Sequence, residues 1–532
     1  MSPDPAMTRQ ADAEHPRSGR HRLLAAGTGV VALLFVGSRV GLLVTSYDAN
    51  QNWEEPVFLF SAVELQHDGL SHLFDYQDDL NHGGSLVLVL LAVPWLSIAG
   101  TSLVALKGVA IVWSTLTLCV AMAVARRYFS PRLALLLGVC LLALSPTAAR
   151  LNVTLVGSHP ESVLPSMLAL AAYWEWVRQR HTSNTDSPGV DVALGVAGGV
   201  AVWVAYVSTM FVLPLLLLRL AFVRRRRNAI ALGAGFLLGI APWMYQNLWL
   251  RPHGALLWMQ HLGAHEPGVE QVSGWGGALT GLLASFGLAA SVAALLLCIA
   301  CVAWAGLLAG VVWAPWRRWL PATTLVLLPL LAAPILGLAL PAHAALPLYP
   351  NEGYYHYRFF VPLQMALMWV LVLGVEMAAR RFGPWVTLLA AAAVLGFGAW
   401  NLWPLYGHGT RYRPDYARDR AAGCLVFGLA EWDRAGSAPA AMRRLAALSD
   451  APCRDRAFGG LGWALGAEYM KHPDLDAARA TLAAIPDRTL RWAACGGFVF
   501  VLTRAPESAL PAAQRATAIE QVTAFCRPAR PS

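Results

Sequence analysis

Apolar runs separated by short polar gaps dominate the first four hundred positions. They fall at 23–46, 103–125, 131–148, 161–177, 191–207, 209–223, 229–248, 285–313, 320–341, 359–379 and 384–403. Most approach the roughly 20 residues that a helix needs to cross a bilayer, so the pattern predicts about eleven transmembrane helices. One further run, Ser85–Ala99, is short and carries Pro94. It reads as a re-entrant or interfacial piece that returns to the face it left.

The gaps carry the sidedness. Arg126/Arg127, Arg178/Arg180, Arg224–Arg227, Arg317/Arg318 and Arg380/Arg381 occupy alternate loops. Basic residues are retained on the cytoplasmic side, which puts these loops and the polar tail 1–22 inside. The other loops, and all that follows residue 404, then lie outside. The first run is too long for a signal-peptide core and lacks a small-residue cleavage site, so it reads as a retained helix. Composition agrees, with 57% hydrophobic and 13% charged residues. The net charge of +9 comes from these loop arginines and not from a basic face, which argues against a nucleic-acid partner. Ala- and Arg-rich usage suggests a bacterial chain, hence a multi-pass protein of the cytoplasmic membrane.

From Asp415 the pattern changes to that of a soluble helical domain, 415–532. DRAAGCLVFGLAEW (419–432), DRAFGGLGWALGAE (455–468) and RWAACGGFVFVLTR (491–504) recur at a fixed interval, which Arg443, Arg479 and Arg515 repeat. Such a period predicts stacked helical hairpins of tetratricopeptide type on the outer side. The fold class is therefore all-α: a transmembrane domain over 23–404 with external amphipathic helices, plus a hairpin-repeat domain. Of eight cysteines, Cys119, Cys140, Cys298 and Cys301 lie in apolar runs and read as small buried hydrophobes. Cys424, Cys453, Cys495 and Cys526 lie in the exported domain and suggest two disulfides with three pairings open. Cys424–Cys453 with Cys495–Cys526 would close one hairpin each.

Candidate chemistry concentrates in the external loop 46–102. Between Ser46 and Gly84 it holds Asp48, Glu54, Glu55, Glu64, Asp68, Asp75, Asp78 and Asp79, interleaved with His67, His72 and His82. Glu54-Glu55 opens a segment in which Phe58, Val63, Leu65 and Leu70 keep helical spacing, an amphipathic helix at the bilayer surface. Acids in a first helical turn also suit the helix dipole without any catalytic role. Glu64/His67 and Asp68/His72 stand at i,i+3 and i,i+4, where they could share a divalent ion, although no closed pattern such as HExxH occurs. No cofactor is required by the sequence.

A carboxylate pair after the first span, an amphipathic helix and a polar residue before a short apolar piece resemble the GT-C glycosyltransferases. That superfamily includes the protein O-mannosyltransferases and the aminoarabinose transferases of lipid A. The usual pair there is Asp-Glu; here it is Glu54-Glu55. The resemblance makes Glu54 the general base, with Glu55 beside it. Asn81-His82-Gly83-Gly84 occupies the place of a Lys-Pro or His-Pro that meets lipid phosphate, keeping the histidine but not the proline. GSHPESVLPSML sits where relatives place another acid, so Glu161, or His159, becomes a substrate or metal contact. YYHYRFFVPL supplies Tyr357 and Arg358 for the donor phosphate, since a guanidinium can engage phosphate through two parallel bonds.

The resemblance implies transfer of a sugar from a polyprenyl-phosphate donor to a glycan, lipid or protein acceptor outside, with inversion. An O-antigen ligase or polymerase would instead use a diphosphate-linked glycan. A transporter or non-catalytic scaffold would display the repeats, and a transporter would concentrate polar residues at mid-membrane.

Overall fold

The computed structural model describes residues 17–46, 55, 58–59, 62, 65–66, 86–143, 145–155, 159–182, 186–250, 270–272, 325, 328–330, 332–333, 346–348, 360–406, 424–425, 428, 432, 435, 437–448, 451–504 and 510–526. The protein is an all-α, multi-pass membrane protein. Its contacts divide it into two compact units, one from residues 1–55, 72–91 and 107–412, the other from 56–71, 92–106 and 413–532.

The run 285–313 and most of 320–341 lie outside the described residues. Up to residue 412 the described helices follow the apolar runs. They are α1 (Arg17–Thr45), α2 (Leu86–Ala99), α3 (Leu103–Tyr128), α4 (Pro131–Ala143), α5 (Pro146–Leu151), α6 (Val163–Thr182), α7 (Pro188–Val204), α8 (Thr209–Ala221), α9 (Arg226–Met244), α10 (Val361–Phe382) and α11 (Trp385–Leu402). Among the described residues, segments within α1, α3, α10 and the stretch Trp385–Leu405 are long and apolar enough to cross a membrane. α2 has 14 residues, about 21 Å at 1.5 Å per residue, short of a hydrocarbon core of about 30 Å. Its chain then turns at Gly100, whose φ of 84° favours glycine. The apolar run 131–148 is broken by Pro146, where Ser145 caps the new helix α5 through the Ala148 N–H.

Outward faces carry large apolar side chains: Leu33 is 74% exposed and Leu388 73%. With no protein to cover them, such faces belong in lipid. Cys119 departs from expectation here. It is exposed on α3, on the stripe of Val112 and Leu116, because helical spacing turns this position outward. Cys140 is buried as expected.

Four arginine clusters gather at one end of these helices. Arg127 and the Tyr128 hydroxyl, closing α3, both donate to Glu175 of α6, at 3.2 and 3.1 Å. Ser130, just before α4, donates to Glu376 of α10, which also accepts from Arg380 at 3.2 Å. The Arg180 guanidinium of α6 lies 4.6 Å from the ring of Phe222, just past α8. Beside it, Arg219 grips Asp191 of α7 through two donors, and Asn228 of α9 donates to the same carboxylate. All three are fully buried, so three helix ends are tied by one charge pair.

α7 and α9 cross at near contact. A Cβ on Gly195 or Gly199 would land on the Leu232 or Phe236 carbonyl, and one on Gly235 or Gly239 on the Val192 or Val196 carbonyl. Two G-x-x-x-G faces thus let the backbones meet, a close approach that helices in lipid use because no hydrophobic force drives them together. β1 (Glu270–Val272) and β2 (Leu346–Leu348) pair antiparallel, Gln271 facing Pro347. The ribbon joins two of the loops expected outside.

The second unit contains α12 (Ala438–Ala446), α13 (Ala451–Lys471), α14 (Leu475–Ala483), α15 (Arg488–Arg504) and α16 (Ala512–Cys526). α12, α14 and α16 begin at Ala438, Leu475 and Ala512, a spacing of 37 residues. A close helix contact recurs within this unit: a Cβ on Gly428 would strike the Ala457 carbonyl, and one on Gly462 the Ala494 carbonyl. Phe458, Leu461, Leu482, Phe498 and Val522 form its buried core. Cys495 and Cys526 are bonded, closing α15 onto α16. Cys424 is also disulfide-bonded; the side chain of Cys453 lies outside the described residues.

Candidate functional site

A buried ion pair marks the start of the external loop. Glu55 is helical, and both of its oxygens accept from Lys107 Nζ, at 2.7 and 2.6 Å. Glu55 Oε1 also accepts from the Leu155 N–H at 3.0 Å, while Lys107 donates to the Val153 carbonyl at 3.4 Å. Neither residue is exposed. Removing two charges from water costs several kcal/mol per ion, and only close geometry with further hydrogen bonds repays it. The residue after Glu54 is therefore clamped against α3 and the segment that follows α5. This clamp lies at the end opposite the arginine clusters, since Lys107 is in the first turns of a helix that finishes at Arg126/Arg127.

Further along the same segment come His159 and Glu161, both buried. The His159 carbonyl accepts from Ser162 at 2.7 Å, which shapes the turn into α6. The Glu161 carbonyl accepts from the Trp113 indole at 3.0 Å, tying that turn to the middle of α3. Glu161 and Trp113 line an open cleft. Asn152, Ser114, Thr117 and Gln364 of α10 add the other polar groups; Met365, Met368, Leu118 and Leu141 make the apolar wall. Phe35 of α1 also contributes, and the fully buried Arg39 lies 4.4 Å over its ring. Arg39 is satisfied in part by the Leu141 and Leu142 carbonyls that end α4, at 3.3 and 3.1 Å. A cation at a helix C-terminus is favoured there by the helix dipole.

Of the residues singled out from sequence, Glu55, His159 and Glu161 are described. Glu55 meets the backbone at Leu155, four residues before His159. Glu54, Glu64, His67, Asp68, His72, His82, Tyr357 and Arg358 lie outside the described residues. The amphipathic stripe buries Phe58, Leu59, Ala62 and Leu65; Val63 and Leu70 lie outside. Among the described residues no three His, Cys, Asp or Glu side chains converge on a metal position.

Lys107 was missed, although it is one of two lysines in the chain and stands inside an apolar run. An ionisable residue within a membrane helix is itself a signal that a partner exists. Gln364 carried no such signal, being an ordinary polar residue after the Phe-Val-Pro-Leu of a helix start.

No protein-family model matches the chain, and no curated protein matches it. Among solved structures, ArnT from Cupriavidus metallidurans in the apo state is 14% identical at a TM-score of 0.42, covering 95% of this chain and 78% of that one. The same protein bound to undecaprenyl phosphate is 15% identical at a TM-score of 0.43, covering 93% and 78%. At these TM-scores the likeness carries no functional argument.

Proposed function

We propose that the protein is a membrane glycosyltransferase that moves a sugar from a polyprenyl-phosphate donor to an acceptor on the extracytoplasmic face, with inversion. The observation that carries this reading is the Glu55–Lys107 clamp, which holds the residue next to Glu54 in a buried setting at the end away from the arginines. With the arginine end inside, that clamp faces outward. A lipid-linked donor suits an outward site because nucleotide sugars are made on the other side.

Glu54 takes the proton of the acceptor hydroxyl as its oxygen attacks the anomeric carbon. The bond from that carbon to the phosphate oxygen breaks on the opposite side, and the electron pair leaves with the lipid phosphate. Arg358, Tyr357 and His82 meet the phosphate, where negative charge grows as the bond breaks. Glu55 positions Glu54 through Lys107 and does not itself take the proton, because both of its oxygens are already engaged. His159 and Glu161 contact substrate. The repeat domain, of tetratricopeptide type, selects the acceptor or a partner.

The test incubates purified full-length protein with labelled polyprenyl-phosphate hexoses and pentoses and follows release of the carrier phosphate. Wild type releases it, and Glu54→Gln abolishes release while lipid binding persists. Release from diphosphate-linked glycans alone would move the protein to the ligase or polymerase class. Full activity of Glu54→Gln would remove the base assignment, and no release from any donor would remove the enzyme reading.

A further inference from the structure

The cleft beside Glu161 has an unusual donor. Gln364 is 1% exposed and lines the cleft. Ser145 Oγ accepts the Ala148 N–H at 3.0 Å and donates to Gln364 Oε1, 3.2 Å away. The amide nitrogen is thereby turned away from Ser145, and Gln364 Nε2 has no hydrogen-bond partner among the described residues. A buried donor of this kind calls for an acceptor from outside the chain.

The lining limits what that acceptor is. Trp113 offers a flat apolar ring, Met365 and Met368 an adaptable wall, and Asn152 and Glu161 planar polar groups. Among the described residues no lysine, arginine or histidine lines the cleft, and the one ionisable side chain there is the Glu161 carboxylate. The described lining therefore offers no cation of its own to a phosphate. A neutral ring with apolar C–H faces and oxygen acceptors at its edge fits. We infer that this cleft is the glycosyl subsite, and that Gln364 selects among sugars by donating to one hydroxyl oxygen. The inference rests on the transferase reading for its substrate, but binding of the sugar is separable from transfer.

Two measurements on the full chain in detergent micelles decide it. In the first, saturation-transfer NMR with methyl hexosides and their monodeoxy analogues reads sugar contact without turnover. Wild type shows contact that weakens for one deoxy position, and Gln364→Leu removes that distinction. In the second, transfer from polyprenyl-phosphate hexose is compared with the matching deoxy donors. A site built around a hydroxyl rejects the analogue lacking it, by about tenfold or more in kcat/KM. Gln364→Leu narrows that ratio to within about threefold, chiefly through loss on the parent sugar. Gln364→Glu, which keeps the acceptor for Ser145 but replaces the donor, serves as the folded control and narrows the ratio likewise. An unchanged ratio and unchanged contact in both variants would overturn the inference and leave the amide facing structural water. Sugar contact in wild type without any transfer would keep the subsite and remove the transferase reading. Neither contact nor transfer would remove both.

Discussion

Replacing Lys107 by Met leaves a carboxylate inside the protein without its cation. In the native chain Lys107 Nζ sits 2.7 and 2.6 Å from the two Glu55 oxygens, and both side chains are sealed from solvent. Breaking a buried pair from one side costs about 3–5 kcal/mol, because the remaining charge keeps its desolvation penalty. Removing both charges costs far less, since two apolar side chains of similar volume need no compensation. One cost remains: the Leu155 N–H loses its Glu55 acceptor in any apolar double variant, about 1–3 kcal/mol. Glu55→Gln with Lys107→Met keeps an acceptor for that N–H and is the better partner. The assay is reversible unfolding of purified protein in mixed micelles titrated with SDS, on wild type, both single variants and the double. Lys107→Met is expected to lose about 3–5 kcal/mol, and the double variant to recover at least about 2 kcal/mol of it. A single variant within about 0.5 kcal/mol of wild type, or strictly additive losses, would refute the clamp.

Two further outcomes test the frame around the site. Gly199→Leu puts a side chain into the Phe236 carbonyl across the α7–α9 crossing, so the helices must separate; folded yield by size-exclusion fluorescence should fall severely, whereas Gly29→Leu, with open space around it, should be tolerated. Reducing the Cys495–Cys526 bond, which spans 31 residues, should destabilise the hairpin α15–α16 by about 3–4 kcal/mol on the chain-entropy account. Limited proteolysis with and without reductant reads this as new cleavage near α16 in the Cys495→Ser variant.

Much of the scaffold was legible along the chain. Runs of apolar residues must avoid water whatever their neighbours, and a helix is the structure that satisfies its own backbone in lipid. Among the described residues the helices therefore appear where the runs are, and α12, α14 and α16 start 37 residues apart. Local chemistry also announced the break at Pro146 only after the fact: the run 131–148 reads as one span, but Ser145-Pro146 is a cap and a first-turn proline. G-x-x-x-G at 195–199 and 235–239 stood in the chain unread, and only the packing of α7 on α9 gave it meaning.

What the sequence determined by itself, then, is which segments enter lipid and which end of each carries arginine, because both depend on single residues exchanging with water. Which charges meet was left to tertiary structure. Glu55 and Lys107 are 52 positions apart, Asp191 and Arg219 28 apart, and Ser145 and Gln364 219 apart. No local preference encodes those distances; they arise when helices pack and a buried polar group takes the partner that geometry brings.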